Sequence, residues 1–331
     1  MNTLRDPHPF SSLTPDCVLN ALDSAGFRGD GSLLALHSYE NRVYRVGMED
    51  GPPVVAKFYR PGRWSNAAIL EEHAFVRELA ESELPVVPAL PGPDGSTLHE
   101  FSGFRFSVFP LQGGHVPEFN DCATFERLGR LVARIHAVGA LRPYRERPTL
   151  DIVSFGEEPR DYLLSQNLIP ADIVDAYRDA LDRALDAARR CFERAGPVRA
   201  IRLHGDCYPG NMLWTRNGPW FVDFDDSRMG PAVQDLWMLL SGERTEMARQ
   251  LGCLLSGYRS FFDFDMRELH LIETLRTLRL IHYTAWIARR WDDPAFPIAF
   301  PWFNTPRYWH DRILDLQEQV ALMDEPPLCP A

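Results

Sequence analysis

Leu203-His204-Gly205-Asp206-Cys207-Tyr208-Pro209-Gly210-Asn211, with Phe221-Val222-Asp223-Phe224-Asp225 placing Asp223 twelve residues beyond Asn211, is the stretch from which the rest of the chain can be read. Transfer of a phosphoryl group needs three things close together. A carboxylate must take or orient the proton of an attacking hydroxyl. Oxygen ligands must hold Mg²⁺ against the phosphates. A cation must fix those phosphates in line with the nucleophile. An Asp and an Asn five residues apart on one tight loop meet the first two needs, with Asp206 facing the acceptor and Asn211 the metal. Asp223 ends the next short apolar run and supplies the metal carboxylate, while the neutral amide of Asn211 limits the negative charge beside a triphosphate. The pattern His-x-Asp-x-x-x-x-Asn is a moderate signal by itself, and Asp206 and Asn211 also suit a turn that caps a helix.

The cation is found by reading back toward the N-terminus. Lys57 interrupts the apolar run Val54-Val55-Ala56-Lys57-Phe58. A buried lysine charge is costly unless anions accompany it, and phosphates together with a helical carboxylate would serve. Glu72, which begins the spacing Glu72, Val76, Leu79, is the candidate carboxylate, with Glu71 as the neighbouring alternative. A lysine on an edge strand, its stem lying along the sheet and its amine in water, is the other reading.

Around these residues the chain divides in character. Residues 32–37, 41–46, 53–59 and 104–109 read as strands, and 66–81 has helical spacing with Ile69, Phe75, Val76 and Leu79 on one side. Pro110-Leu111-Gln112-Gly113-Gly114 marks a change, beyond which 121–138, 171–195, 235–262, 266–290 and a last segment to about residue 323 read as helices. The expectation is an α+β protein of two lobes: residues 1–111, a small antiparallel sheet plus a helix that binds the nucleotide, and residues 112–331, larger, mainly helical, carrying the catalytic loop and the acceptor site.

Bulk properties agree with that size. A chain of 331 residues is long for one core and suits two, and its 45% hydrophobic residues can fill them. A net charge of −11 without a Lys/Arg run argues against nucleic acid and anionic membrane as partners and favours cationic molecules or basic segments. No apolar run reaches the ~18 residues that cross a bilayer, and residues 1–10 lack the apolar core of a signal peptide. Six scattered cysteines without a C-x-x-C pair predict reduced structural thiols in a cytoplasmic protein.

The order strand lysine, helical glutamate, His-x-Asp-x-x-x-x-Asn and metal aspartate resembles the protein-kinase-like superfamily. His204-Gly205-Asp206, with Gly where typical protein kinases have Arg, and Leu128-Gly129-Arg130-Leu131-Val132-Ala133-Arg134-Ile135-His136 resemble its aminoglycoside phosphotransferase and choline kinase branch. For His136, core packing is the preferred reading. Ser38-Tyr39-Glu40-Asn41-Arg42-Val43-Tyr44, Lys57-Phe58-Tyr59-Arg60-Pro61, Ile69-Leu70-Glu71-Glu72-His73, Gly230-Pro231-Ala232-Val233-Gln234-Asp235-Leu236-Trp237 and Arg290-Trp291-Asp292-Asp293-Pro294-Ala295-Phe296-Pro297 are similar to the stress response kinase A family of bacterial Ser/Thr protein kinases, and they span nearly the whole chain. That resemblance implies a bilobal protein-kinase-like fold and a cytoplasmic monomer that uses ATP and Mg²⁺ to phosphorylate proteins on Ser or Thr. It implies Asp206 as base, Asp223 as catalytic metal carboxylate, Asn211 as metal ligand, and Ser38, Lys57 and Glu72 on the nucleotide side.

Neither a G-x-G-x-x-G nor a G-x-x-x-x-G-K-[ST] loop occurs. In this branch the first hairpin lies over the phosphates instead, so Ser38 and nearby backbone N–H groups are expected to donate to phosphate oxygen; an ordinary polar turn is the alternative. Gly205 and the short interval from Asp223 to Asp235 predict a site that needs no activation-loop phosphate. Asp235 reads as an N-cap or as a brace for the catalytic loop, and Asp225 as a second neighbour of the metal. Trp291, Phe296, Phe300, Trp302 and Phe303 read as packing of a Pro-fixed loop, with an acceptor groove as the other reading. A small-molecule kinase for a cationic alcohol, aminoglycoside-like or choline-like, shares every catalytic residue named, and a pseudokinase is opposed by the intact Lys57, Asp206, Asn211 and Asp223.

Overall fold

The structure is a computed structural model that describes residues 8–119 and 121–330. Residues 1–7, part of the stretch read above for a signal peptide, lie outside the described residues. The chain forms two compact units. One contains Met1–Pro117, Gly210–Asp225 and Asp293–Ala295, and the other Glu118–Pro209, Asp226–Asp292 and Phe296–Ala331.

The first unit is built on α1 (Pro15–Ser24), β1 (Gly29–Leu36), β2 (Arg42–Met48), β3 (Val54–Phe58), α2 (Asn66–Glu81), β4 (His99–Phe101) and β5 (Phe104–Pro110). The strands make an antiparallel sheet in the order β1-β2-β3-β5-β4. β3 is therefore central, which excludes the edge-strand reading of Lys57. Its alternate residues Val54, Ala56 and Phe58 enter a core with Val46, Phe104, Phe106 and Val108. Val18, Ala21 and Leu22 of α1 cover that core. α1 is absent from the sequence expectations, yet Pro15 opens it and Cys17 N–H donates to the N-cap hydroxyl of Thr14. Lys57 of β3 and Tyr59 just beyond it face α2: Lys57 senses the charge of Glu72, and Tyr59 hydroxyl lies 2.9 Å from His73 Nε2. α2 has the expected bounds, and Ser65 caps it through Ala68 N–H.

The other helices are α3 (Cys122–Gly139), α4 (Glu158–Ser165), α5 (Val174–Ala195), α6 (Val233–Trp237), α7 (Arg244–Tyr258), α8 (Ile272–Ala288), α9 (Ala295–Ala299) and α10 (Pro306–Asp324). α5 packs its apolar stripe on α10, where Tyr177 and Trp309 rings meet at 5.2 Å. The helix expected over 235–262 is two helices, because Gly242 at φ +88° turns the chain between α6 and α7. The segment expected from 266 begins as the 3₁₀ turn Met266–Leu271 before α8. In the Trp- and Pro-rich stretch Phe296, Phe300 and Phe303 are buried, in keeping with packing, and Trp302 is exposed.

The expectation of reduced cysteines throughout fails at one pair. Cys122 and Cys253 form a disulfide, with Cα atoms 5.4 Å apart. Two glycines allow that approach of α3 and α7: a Cβ on Gly129 would lie 2.0 Å from Leu254 O, and one on Gly257 2.0 Å from Glu126 O. Cys17, Cys191, Cys207 and Cys329 are free.

Candidate active site

The critical loop hangs between short strands. β6 (Ile201–Arg202) pairs antiparallel with β9 (Met229–Gly230), while β7 (Met212–Thr215) and β8 (Gly218–Phe221) form a hairpin. The loop after β6 and the residues before β9 belong to the second unit. The hairpin with its flanking Asn211, Asp223 and Asp225 belongs to the first.

In the second unit, residues 203–206 are held from several sides. Asp235 accepts hydrogen bonds from His204 N–H at 2.7 Å and Gly205 N–H at 2.9 Å, and its Oδ2 lies 3.1 Å from His136 Nε2. Asp235 is the third residue of α6 rather than its cap, so the brace reading replaces the N-cap reading. His136 is fully buried, its Nδ1 2.7 Å from Tyr258 hydroxyl, as a core histidine that also supports the brace. Ser227 hydroxyl donates to Leu203 O at 2.6 Å, and Gln234 amide to Gly205 O at 3.0 Å. Gly205 has φ +85°, and a Cβ there would lie 2.2 Å from Asp226 O. That close approach is the physical reason for glycine in this motif: no arginine fits the backbone at this point.

Asp206 emerges from this frame. Burial pushes its carboxyl above the usual aspartate value, and Arg279 of α8 opposes that shift. Arg279 Nη1 donates to Asp206 Oδ1 at 2.6 Å. Sequence reasoning missed Arg279, since nothing in the spacing of α8 distinguishes it from the other arginines there.

In the first unit, Lys57 Nζ lies 2.9 Å from Asp223 Oδ1 and 3.2 Å from Asp225 Oδ1. Burial alone would push the amine down, but Asp223, Asp225 and Glu72 outweigh it and hold Lys57 well above the usual lysine value. Both aspartates make ion pairs with the amine, and the charge of Glu72 adds to theirs. Asp223 has φ +59°, a conformation rare for a non-glycine residue, and its side chain is 55% exposed. Phe224 next to it turns its ring edge-on to Phe75 of α2 at 6.1 Å, which fixes the turn. Val222 N–H donates to Asn211 O at 3.0 Å, so the two expected metal ligands stand on adjacent backbone. A carboxylate and an amide oxygen form the hard donor set that Mg²⁺ takes, so these residues fit that ion.

Ser38 lies in the β1–β2 connection, which arginines tie down. Arg60 Nε donates to Glu40 O at 2.9 Å and pairs with Glu40 at 3.0 Å, and Arg42 donates to Tyr39 O at 3.4 Å. Asn41 bridges the connection to Asp225, its amide donating to Asp225 Oδ2 at 3.2 Å and its Oδ1 accepting from Arg60 N–H at 3.1 Å. Arg63 also pairs with Asp225. Asp293, only 3% exposed, pairs with Arg60 at 2.8 Å and Arg42 at 3.3 Å. The sequence held the signal for this network in Asn41, Arg42, Arg60 and Asp293, each inside a stretch quoted for the resemblance, but gave no hint that they meet.

A family model described as a phosphotransferase enzyme family matches residues 32–272. The chain is 43% identical over 319 residues to stress response kinase A of Salmonella choleraesuis, covering 96% of each chain. It is 42% identical, with the same coverage, to the serine/threonine protein kinase RdoA of Salmonella typhimurium. Among solved structures, amicoumacin kinase hAmiN in complex with AMP-PNP, Ca²⁺ and Ami superposes with a TM-score of 0.72 at 18% identity, covering 93% of each chain. The expected kinase-like α+β fold is thereby borne out. Matched over most of its length by the family model and almost end to end by these relatives, the chain belongs to the phosphotransferase enzyme family, as a kinase that transfers phosphate to a hydroxyl.

Proposed function

We propose that this kinase transfers the γ-phosphate of ATP to Ser or Thr side chains of proteins, in the cytoplasm, as part of a stress response. The observation that carries the reading is the buried Lys57 amine held between Asp223 and Asp225 within the first unit, and the braced loop of Asp206 within the second supports it. Such an amine keeps its charge and can exchange a carboxylate for phosphate oxygens.

Asp206 accepts the proton of the acceptor hydroxyl as its oxygen bonds to the γ-phosphorus. The bond from that phosphorus to the bridging oxygen breaks, and ADP leaves with the electron pair. Lys57 holds the phosphates, Ser38 and its loop cover them, and Glu72 supports Lys57. Asn211 and Asp223 are the residues that would hold Mg²⁺, which when bound supplies charge neutralisation on the phosphate oxygens. Asp235 keeps the loop of Asp206 in place without touching substrate.

Labelled ATP with Mg²⁺, incubated with a generic protein substrate and separately with amino alcohols and aminoglycosides, tests the reading. Label in protein Ser or Thr is expected. Label in small alcohols alone would replace it with the cationic-alcohol reading. Asp206→Asn is expected to lower transfer by about 10²- to 10⁴-fold while nucleotide binding persists.

A further inference from the structure

Arg279 sets a chemical condition on the acceptor. Its Nη1 donates to Asp206 Oδ1 at 2.6 Å, and its side chain is 38% exposed. Among the described residues this is its one hydrogen bond, so most of the five donors of its guanidinium face outward. The neighbouring arginine of α8 is differently engaged: Arg276 pairs with Glu273 at 3.2 Å and lies 5.4 Å over the Trp237 ring. A hydroxyl presented to Asp206 therefore arrives beside a fixed guanidinium.

The consequence is electrostatic. An ammonium group next to the hydroxyl, as in an amino alcohol, would meet that guanidinium with like charge. A carboxylate would find a planar fork already ordered by Asp206, and bidentate pairing with such a fork is the strongest common anion contact. One and two turns further along the same face of α8 stand Tyr283, 37% exposed, and Trp286, their rings stacked at 5.5 Å. Tyr283 offers exposed aromatic surface against which chain beyond the acceptor residue can lie.

Resting on the kinase reading above, we propose that Arg279 is a specificity-determining residue, which holds the catalytic base with one nitrogen and reads an acidic side chain flanking the acceptor Ser or Thr with the others. The acceptor is then a hydroxyl in an acidic segment, not one beside a cation. The overall charge of −11 would by itself favour the opposite choice, so the selection is made locally.

The test compares two peptides that differ only in whether Glu or Lys flanks a single Ser, using labelled ATP and the full chain. Wild type is expected to favour the Glu peptide in kcat/KM by about ten-fold, since exchanging attraction for repulsion doubles the modest effect of a part-exposed charge. Arg279→Ala should bring the ratio close to one, Arg279→Glu should invert it, and Arg279→Lys should retain part of it. Because the ratio is taken within one variant, any damage to Asp206 cancels. Transfer to both peptides with a ratio unchanged between wild type and Arg279→Ala overturns this inference alone. A wild-type preference for the Lys peptide does the same. Absence of transfer to any protein, peptide or alcohol overturns the kinase reading and this inference with it.

Discussion

Glu268 is a carboxylate placed where its charge is unwelcome. It is 3% exposed, and burial pushes its pKa from the usual 4.5 up to about 7, against the help of Val233 N–H, which donates to Oε2 at 2.8 Å. A raised acid pKa means the folded state binds the proton more tightly than the unfolded state. Stability is therefore greatest below pH 4.5 for this group and declines as pH climbs to about 7, where the loss levels off. The full difference is about 3 kcal/mol. Glu268→Gln keeps an acceptor for Val233 N–H and removes the titration. Urea unfolding of this variant between pH 5 and pH 8 should show a flatter dependence than wild type and greater stability at pH 8. Parallel curves for the two proteins would disprove the assignment. Glu268 illustrates what a sequence conceals at this scale: a glutamate in a charged 3₁₀ segment looks solvated until the tertiary fold closes over it.

Among the elements, the β1–β2 connection departs most from a simple hairpin turn. Glycine-rich loops gain closeness to phosphate by having no side chains. Here Arg42 and Arg60 grip the carbonyls of Tyr39, Glu40 and Asn41, and Asp293 neutralises both arginines from the loop after α8. Asp293→Ala would leave two arginines without their buried partner, at a cost of about 3 kcal/mol. It is expected to raise the KM for ATP more than it lowers kcat, because the loop and not the base is loosened. Steady-state kinetics with varied ATP decide this, and a pure kcat effect would refute it. The strands and α2 were legible because period-two and period-3.6 patterns survive in the residues themselves. α1 was not, because its ten residues follow a Pro- and Ser-rich start that masks a short apolar stripe. The split between α6 and α7 turned on the backbone angle of one glycine.

For the molecule as a whole, the candidate catalytic residues could be named from the sequence since phosphoryl-transfer chemistry fixes their types and spacing, while Arg279, Asp293 and the Cys122–Cys253 bridge depend on distant segments meeting. The bridge closes a span of 131 residues, for which the chain-entropy treatment gives about 5 kcal/mol of stabilisation. Denaturation with and without reductant, and of Cys122→Ser, should show that difference. Identical midpoints would mean that α3 and α7 hold together by packing alone.

The first unit takes its residues from three separated stretches of chain, and the partners of Lys57 lie in the second of them. A ribosome delivers the sheet long before it delivers Asp223 and Asp225. Until then the nascent N-terminal region offers its lysine amine the charge of Glu72 but neither aspartate, so the ion pairs of Lys57 must wait for emergence of residue 225. Translation stalled just after residue 209 would thus leave a sheet whose central strand is still open at Lys57, a state that cellular chaperones are suited to shelter.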